Sequence, residues 1–97
     1  MATFVTLYNF TDQGLRNIKD TVKRAEAIKE AAGKAGVKIK ETLWLDGQYD
    51  ALVIGEASDD AAATAFALSI LKAGNVRSQT MRGYTAAEMK PILDKVT

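Results

Sequence analysis

The chain has 97 residues, no cysteine and no histidine, and 13 basic against 12 acidic side chains, for a net charge of +1. That length makes one domain spanning residues 1–97, and the composition removes disulfides, thiolate and imidazole metal sites, and every nucleophile arrangement that relies on histidine. A domain this small commonly draws stability from cross-links, metal or association, and association is the route these residues leave open.

The first element is Thr3 to Phe10, a β-branched and aromatic run that reads as a strand. Thr11 and Asp12 offer a helix cap. Leu15, Ile18, Val22, Ala25, Ile28 and Ala32 then recur at spacings of three and four, so one helix is expected from Gln13 to Ala32, ended by Gly33 and Gly36. Val37 to Leu45 and Tyr49 to Ala57 read as strands two and three. Between them Asp46-Gly47 is a hairpin signal of the type I′ kind, which needs positive φ at both central positions. Ser58 is expected to cap a second helix, Ala61 to Lys72, with Asp59 and Asp60 in its first turn. That helix is apolar nearly all round and is closed by Gly74-Asn75. Val76 to Tyr84 is strand four. Thr85-Ala86-Ala87-Glu88 forms a capping box ahead of an apolar stripe of Met89, Ile92, Leu93 and Val96, which Pro91 should kink or delay.

The order is βαββαβ plus a C-terminal helix, the α+β ferredoxin-like arrangement with a four-stranded antiparallel sheet. Strands one and three are the most apolar and belong at its centre, with a parallel relation expected between them. Strands two and four carry the lysines and arginines of edges. Strand one is apolar on both sides: Val5 and Leu7 on one, Phe4, Tyr8 and Phe10 on the other. Helices cover only one sheet face, so the other is expected to meet a second copy.

The segment Asp46-Gly47-Gln48-Tyr49-Asp50-Ala51-Leu52-Val53-Ile54-Gly55-Glu56-Ala57, with its Gly-x-Tyr-Asp element at Gly47 to Asp50, resembles the signature of the GYD-domain family. Gly74-Asn75-Val76-Arg77-Ser78-Gln79-Thr80-Met81-Arg82 resembles its second recurring segment. The resemblance implies a small bacterial protein of the dimeric α/β-barrel type, with a role that the family leaves largely unassigned.

Charge is unevenly spread. Residues 16–40 hold eight basic groups against three acids, and residues 41–60 hold six acids and no base. The basic run carries no aromatics for base stacking and reads as the solvated face of a helix, so no nucleic-acid partner is expected. An RNA-binding domain of this topology also uses stacking aromatics inside its third strand, which Tyr49 to Ala57 lacks. There is no apolar run of 18 residues and no signal-peptide pattern, so the chain is expected to be cytoplasmic, with no membrane partner. No carboxylate loop signature for calcium or magnesium is present, and neither a metal nor a cofactor is expected.

Candidate ligand-binding residues are Tyr8, Tyr49, Asp50, Arg77 and Arg82. Tyr49 and Asp50 sit where the chain re-enters the sheet; Asp50 either orients a ligand or satisfies turn donors. Arg77 and Arg82 lie at odd separation on strand four and face opposite sides. Either would supply the charge for a small, partly apolar anion held at a sheet–sheet junction walled by Phe4, Tyr8 and Val53. Glu56 is expected to pair with one of them. Trp44, placed on the Lys38-Lys40-Thr42 face of strand two, and Phe4 are candidate interface residues. The favoured function is a non-catalytic homo-oligomer that binds a small molecule or serves in assembly. The alternative is a cofactor-independent oxygenase or isomerase, which without histidine would need Asp50, Glu56 or Tyr49 as its acid–base group.

Overall fold

Four strands form one antiparallel sheet in a computed structural model that describes all 97 residues. In chain order the elements are β1 (Ala2–Phe10), α1 (Asp12–Arg16), a 3₁₀ turn (Ile18–Asp20), α2 (Thr21–Lys34), β2 (Val37–Trp44), β3 (Ala51–Ala57), α3 (Asp60–Lys72), β4 (Val76–Gly83) and α4 (Ala86–Leu93). The sheet order is β2-β3-β1-β4. This is the expected α+β, ferredoxin-like βαββαβ layout with a C-terminal helix. β1 and β3 are central as expected, but they run antiparallel, with Val5 opposite Ile54 and Leu7 opposite Leu52. The parallel relation expected for them fails because β3 follows β2 through a direct reversal, which leaves it antiparallel to β2 and to β1 alike.

Register fixes which side chains share a face. Phe4, Thr6, Tyr8 and Phe10 lie on the face that α2 and α3 cover, level with Gly55, Val53 and Ala51 on β3 and with Arg82, Thr80, Ser78 and Val76 on β4. Val5 and Leu7 share the opposite face with Leu52, Ile54, Met81 and Gln79. On β2 a bulge between Ile39 and Glu41 changes the parity. Thr42 and Trp44 therefore join Val37 and Ile39 on the helix side, and Trp44 does not share the face of Lys38, as unbroken alternation predicts.

The single helix expected from Gln13 to Ala32 is broken at Asn17, which adopts φ −104° and ψ 25°. The cause is the anchoring of α1 to the turn before β4. Thr11 N–H donates to Asn75 O and Thr11 Oγ1 to Gly74 O, while Gln13 Nε2 reaches Ala73 O and Asn75 Oδ1. Gly14 is buried against that turn. The chain then bends to lay α2 along β2, and Arg24 Nη1 donates to Asn17 O at 2.7 Å across the break. The bend rotates the expected apolar stripe, leaving Leu15, Ile18 and Val22 exposed, while Thr21, Arg24, Ala25 and Ile28 face the sheet.

Elsewhere the expected boundaries shift by small amounts. Asp59, not Ser58, caps α3 by accepting from Ala61 N–H. The Thr85–Glu88 capping box is present and fixes the start of α4, which continues through Pro91. The β2–β3 connection is not a two-residue type I′ turn: it runs from Leu45 to Asp50, closed by Leu45 N–H donating to Asp50 O at 2.8 Å. Gly47 has φ +154° within it, and no non-glycine residue has positive φ.

A Cβ added at Gly14 would stand 2.1 Å from Asn75 O. Alanine favours a helix over glycine by about 1 kcal/mol, yet Gly14→Ala must push α1 off its anchor. A net loss of about 1–3 kcal/mol is expected, read as a lower urea midpoint; an unchanged or raised midpoint would refute the anchoring.

Candidate ligand-binding site

Between the sheet and the two long helices lies an apolar cavity of about 140 Å³. Its floor is Phe4, Thr6, Tyr8, Val53 and Gly55; its roof comes from Ala25 and Ile28 of α2 and from Ala63, Phe66 and Ala67 of α3. Buried residues in the whole chain are confined to small ones, Gly14, Ala32, Ala51, Gly55 and Ala57. The helices are therefore held off the sheet rather than packed into it. On α3, Ala63 and Ala67 line the cavity beside Phe66 and Ile70, and the two alanines leave space above the floor.

The polar groups in this space are few. Thr6 and Thr80 pair with each other at 3.0 Å. Trp44 Nε1 donates to Thr21 Oγ1 at 3.0 Å, and Trp44 is still 43% exposed, so it stands at the cavity's mouth. Arg24 lines the cavity, and its Nη2 is shut off from solvent with no hydrogen-bond partner. Tyr8 lines it too, and burial pushes its hydroxyl pKa above the ordinary tyrosine value.

The residues singled out from sequence separate into four places. Tyr8 and Phe4 are cavity walls, and with Val53 they lie under the helices and not at a sheet–sheet junction. Tyr49 is on the other side of the sheet, its hydroxyl donating to Gln79 Oε1 at 3.0 Å. Asp50 is used by the backbone: its N–H donates to Tyr8 O and its Oδ2 accepts from Phe10 N–H, both at 2.8 Å. Arg82 shares the Phe4 face as register permits, but it works as a strap. Its guanidinium lies 4.4 Å from the Tyr84 ring centroid and 5.9 Å from that of Phe4, donates to the carbonyls of Thr3 and Gly83, and meets Glu88 at 3.5 Å. Arg77 is exposed on the opposite face, bonded only to Val76 O. Glu56 does not pair with either arginine; it meets Lys40 at 3.5 Å.

Sequence reasoning missed Arg24 and Thr21. Arg24 was absorbed into a solvated basic run, although it stands four residues before Ile28 and beside Ala25, at the spacing of the sheet-facing side. No group of three or more acidic, histidine or cysteine side chains converges to hold a metal ion.

Fold and site together define a small ferredoxin-like α+β domain with a ligand-sized cavity beneath its helices. The chain belongs to the GYD domain family, whose sequence profile matches residues 4–93 of the 97. No curated protein matches the sequence. The Gly-Gln-Tyr-Asp element of this chain is architectural: Gly47 takes the positive φ, Tyr49 clips the loop to β4, and Asp50 closes the end of the central strand pair.

Removing the Asp50 carboxylate leaves the Phe10 amide without its acceptor. Asp50→Ala is expected to cost about 1–3 kcal/mol and to speed hydrogen exchange at Phe10, with Asp50→Asn milder. Unaltered exchange at Phe10 in Asp50→Ala would show that the carboxylate does not carry the closure.

Proposed function

We propose that this chain is a non-catalytic small-molecule-binding protein that works as a homo-oligomer in the cytoplasm. The observation that carries the binding half is the cavity: an apolar space walled by two helices and the sheet, with a few polar groups among its lining residues, as ligand sites are built. No Asp, Glu or Lys lines it. Asp50 is engaged by Phe10 N–H, Glu56 and Tyr49 lie on the other sheet face, and Tyr8 holds its proton more tightly than an ordinary tyrosine. A proton-abstracting oxygenase or isomerase would lack its base in this space, which favours binding over the enzymatic alternative.

The oligomeric half rests on surface. The chain exposes 6709 Å², where a compact monomer of 10.5 kDa exposes roughly 5400 Å². Its radius of gyration is 14.7 Å, against about 12.5 Å for a compact domain of this length. The excess, roughly 1300 Å², exceeds the ~800 Å² that each partner gives to an ordinary interface. Part of it is the helix-free face of Val5, Leu7, Leu52, Ile54 and Met81. A further part is α4, where Leu93 is exposed, and Val96 just beyond it. A second copy packed sheet against sheet covers the first of these surfaces. Phe4 and Trp44 stay on the helix side in that arrangement. No helix is long and apolar enough to cross a membrane, in keeping with the cytoplasmic placement.

Two measurements test the halves separately. Sedimentation at low micromolar concentration should give a dimer or larger species for the parent and a monomer for Leu52→Lys; a parent that sediments as a folded monomer would overturn the oligomer. Trp44 is the only tryptophan and stands at the cavity mouth, so its emission should shift on titration with the uncharged apolar ligand 2-phenylethanol. Val53→Phe, which fills the floor, should abolish that shift. A parent whose emission and heat of mixing show no binding of 2-phenylethanol or of its carboxylate counterpart phenylacetate would sink the cavity reading.

A further inference from the structure

The cavity's polar end has one sign. Arg24 Nη2 is buried and unpaired, and none of the three ion pairs of the chain involves Arg24. Thr21 Oγ1 has accepted from Trp44 Nε1 and keeps its own proton to give. Tyr8, which lines the same space, keeps its hydroxyl proton across the neutral range because burial disfavours the phenolate. Register puts Tyr8 and Trp44 in one row of the sheet, on either side of Ala51, and Trp44 is bonded to Thr21, one helical turn before Arg24. Away from this end the walls are Phe4, Ile39, Val53, Ile28 and Phe66, with no charged group among them.

A buried guanidinium N–H with no acceptor is costly, and no side chain of the protein supplies one. Donors from Arg24, Thr21 and Tyr8, without a carboxylate among the lining residues, form a receptor for an anion, and the arginine fork matches a carboxylate. The remaining walls require the rest of the ligand to be apolar. The volume, about 140 Å³, is close to that of an engineered protein cavity of roughly 150 Å³ that takes benzene, which sets the scale at one aromatic ring or a short aliphatic chain.

We infer that the cavity takes a small apolar monocarboxylate, aryl or short-chain aliphatic, with its carboxylate on Arg24 and its apolar body along Val53 and Phe66. This rests on the cavity reading above and adds the charge and the residue that recognises it. The strand-four arginines take no part, since Arg82 is committed to Glu88 and two carbonyls and Arg77 is on the far face.

The experiment compares pairs of equal size and different charge: phenylacetate with 2-phenylethanol, and hexanoate with 1-hexanol, by Trp44 emission and calorimetry at neutral pH. For the parent, each carboxylate should bind at least about tenfold more tightly than its alcohol, the range of one charge-assisted hydrogen bond. Arg24→Met, which keeps the stem and removes the charge, should erase that preference while still binding the alcohols. Tyr8→Phe should weaken the carboxylates a few-fold. If the parent binds alcohol and acid equally, the carboxylate inference fails and the cavity reading stands. If it binds neither, the cavity reading itself has failed. A preference that survives in Arg24→Met would remove Arg24 from the role. The parent comparison decides the ligand class even if the Arg24 variant does not fold.

Discussion

The antiparallel pairing of β1 with β3 is the constraint from which the rest follows. Its end is locked by one residue, Asp50, whose N–H bonds Tyr8 O and whose carboxylate takes the Phe10 N–H. Side chains alternate with period two, so a slip of one residue would exchange the two faces. With the register held, Phe4, Thr6, Tyr8 and Phe10 are delivered to the helices, and Val5 and Leu7 to the open side. The open face is then aliphatic, and the covered face carries the aromatic and hydroxyl groups that give the cavity its character. In this chain the Gly47-to-Asp50 element thus sets backbone geometry at the end of the central strand pair.

The polar groups of the cavity depend on how the chain enters α2. The chain leaves β1 through α1, and α1 is tied to the α3–β4 turn by Thr11, Gln13 and the close approach at Gly14. Leu15 in α1, Ile18 in the 3₁₀ turn and Val22 in α2 are all left exposed. The break at Asn17 turns Thr21, Arg24 and Ile28 inward instead. Arg24 stabilises the break by bonding Asn17 O with one nitrogen, while its other nitrogen is buried without a partner in a side chain that lines the cavity. A side chain recruited for a local backbone need is thereby left with one donor unspent in an apolar place.

How legible this was in the sequence varies with the range of the determining interaction. Element order, the capping box at Thr85, the cap at Gly74 and the opposition of Arg77 and Arg82 follow from local patterns and alternation, and all are present. What failed depended on contacts remote in sequence. The helix break comes from a turn some sixty residues further on and leaves no trace in the apolar spacing. The bulge near Lys40 inverted the face of Trp44, and no glycine or proline marks it. The partner of Glu56 turned out to be Lys40, beside that bulge, because two strands that a chain reversal brings together were overlooked in favour of β4. Arg24 went unnoticed for a related reason: a lysine-rich helix reads as solvated until one knows which face the sheet takes.

The two faces of the sheet present the same physical problem with different answers. Each carries apolar surface that this chain alone does not finish burying. On the open side the surface is broad, aliphatic and flanked by the Lys40–Glu56 pair and exposed Arg77, a form that suits a flat protein surface with a charged rim. On the helix side it is narrow, roofed and includes one buried donor without an acceptor, Arg24 Nη2, a form too small for a protein segment and suited to a small anion with an apolar body. The sheet is only one layer thick between them, and β1 contributes alternate residues to both. A shift of β1 on forming the open-side contact would therefore move Tyr8 and Phe4 at the cavity floor. Were both surfaces covered, any coupling between them would pass through that single strand and would be reciprocal.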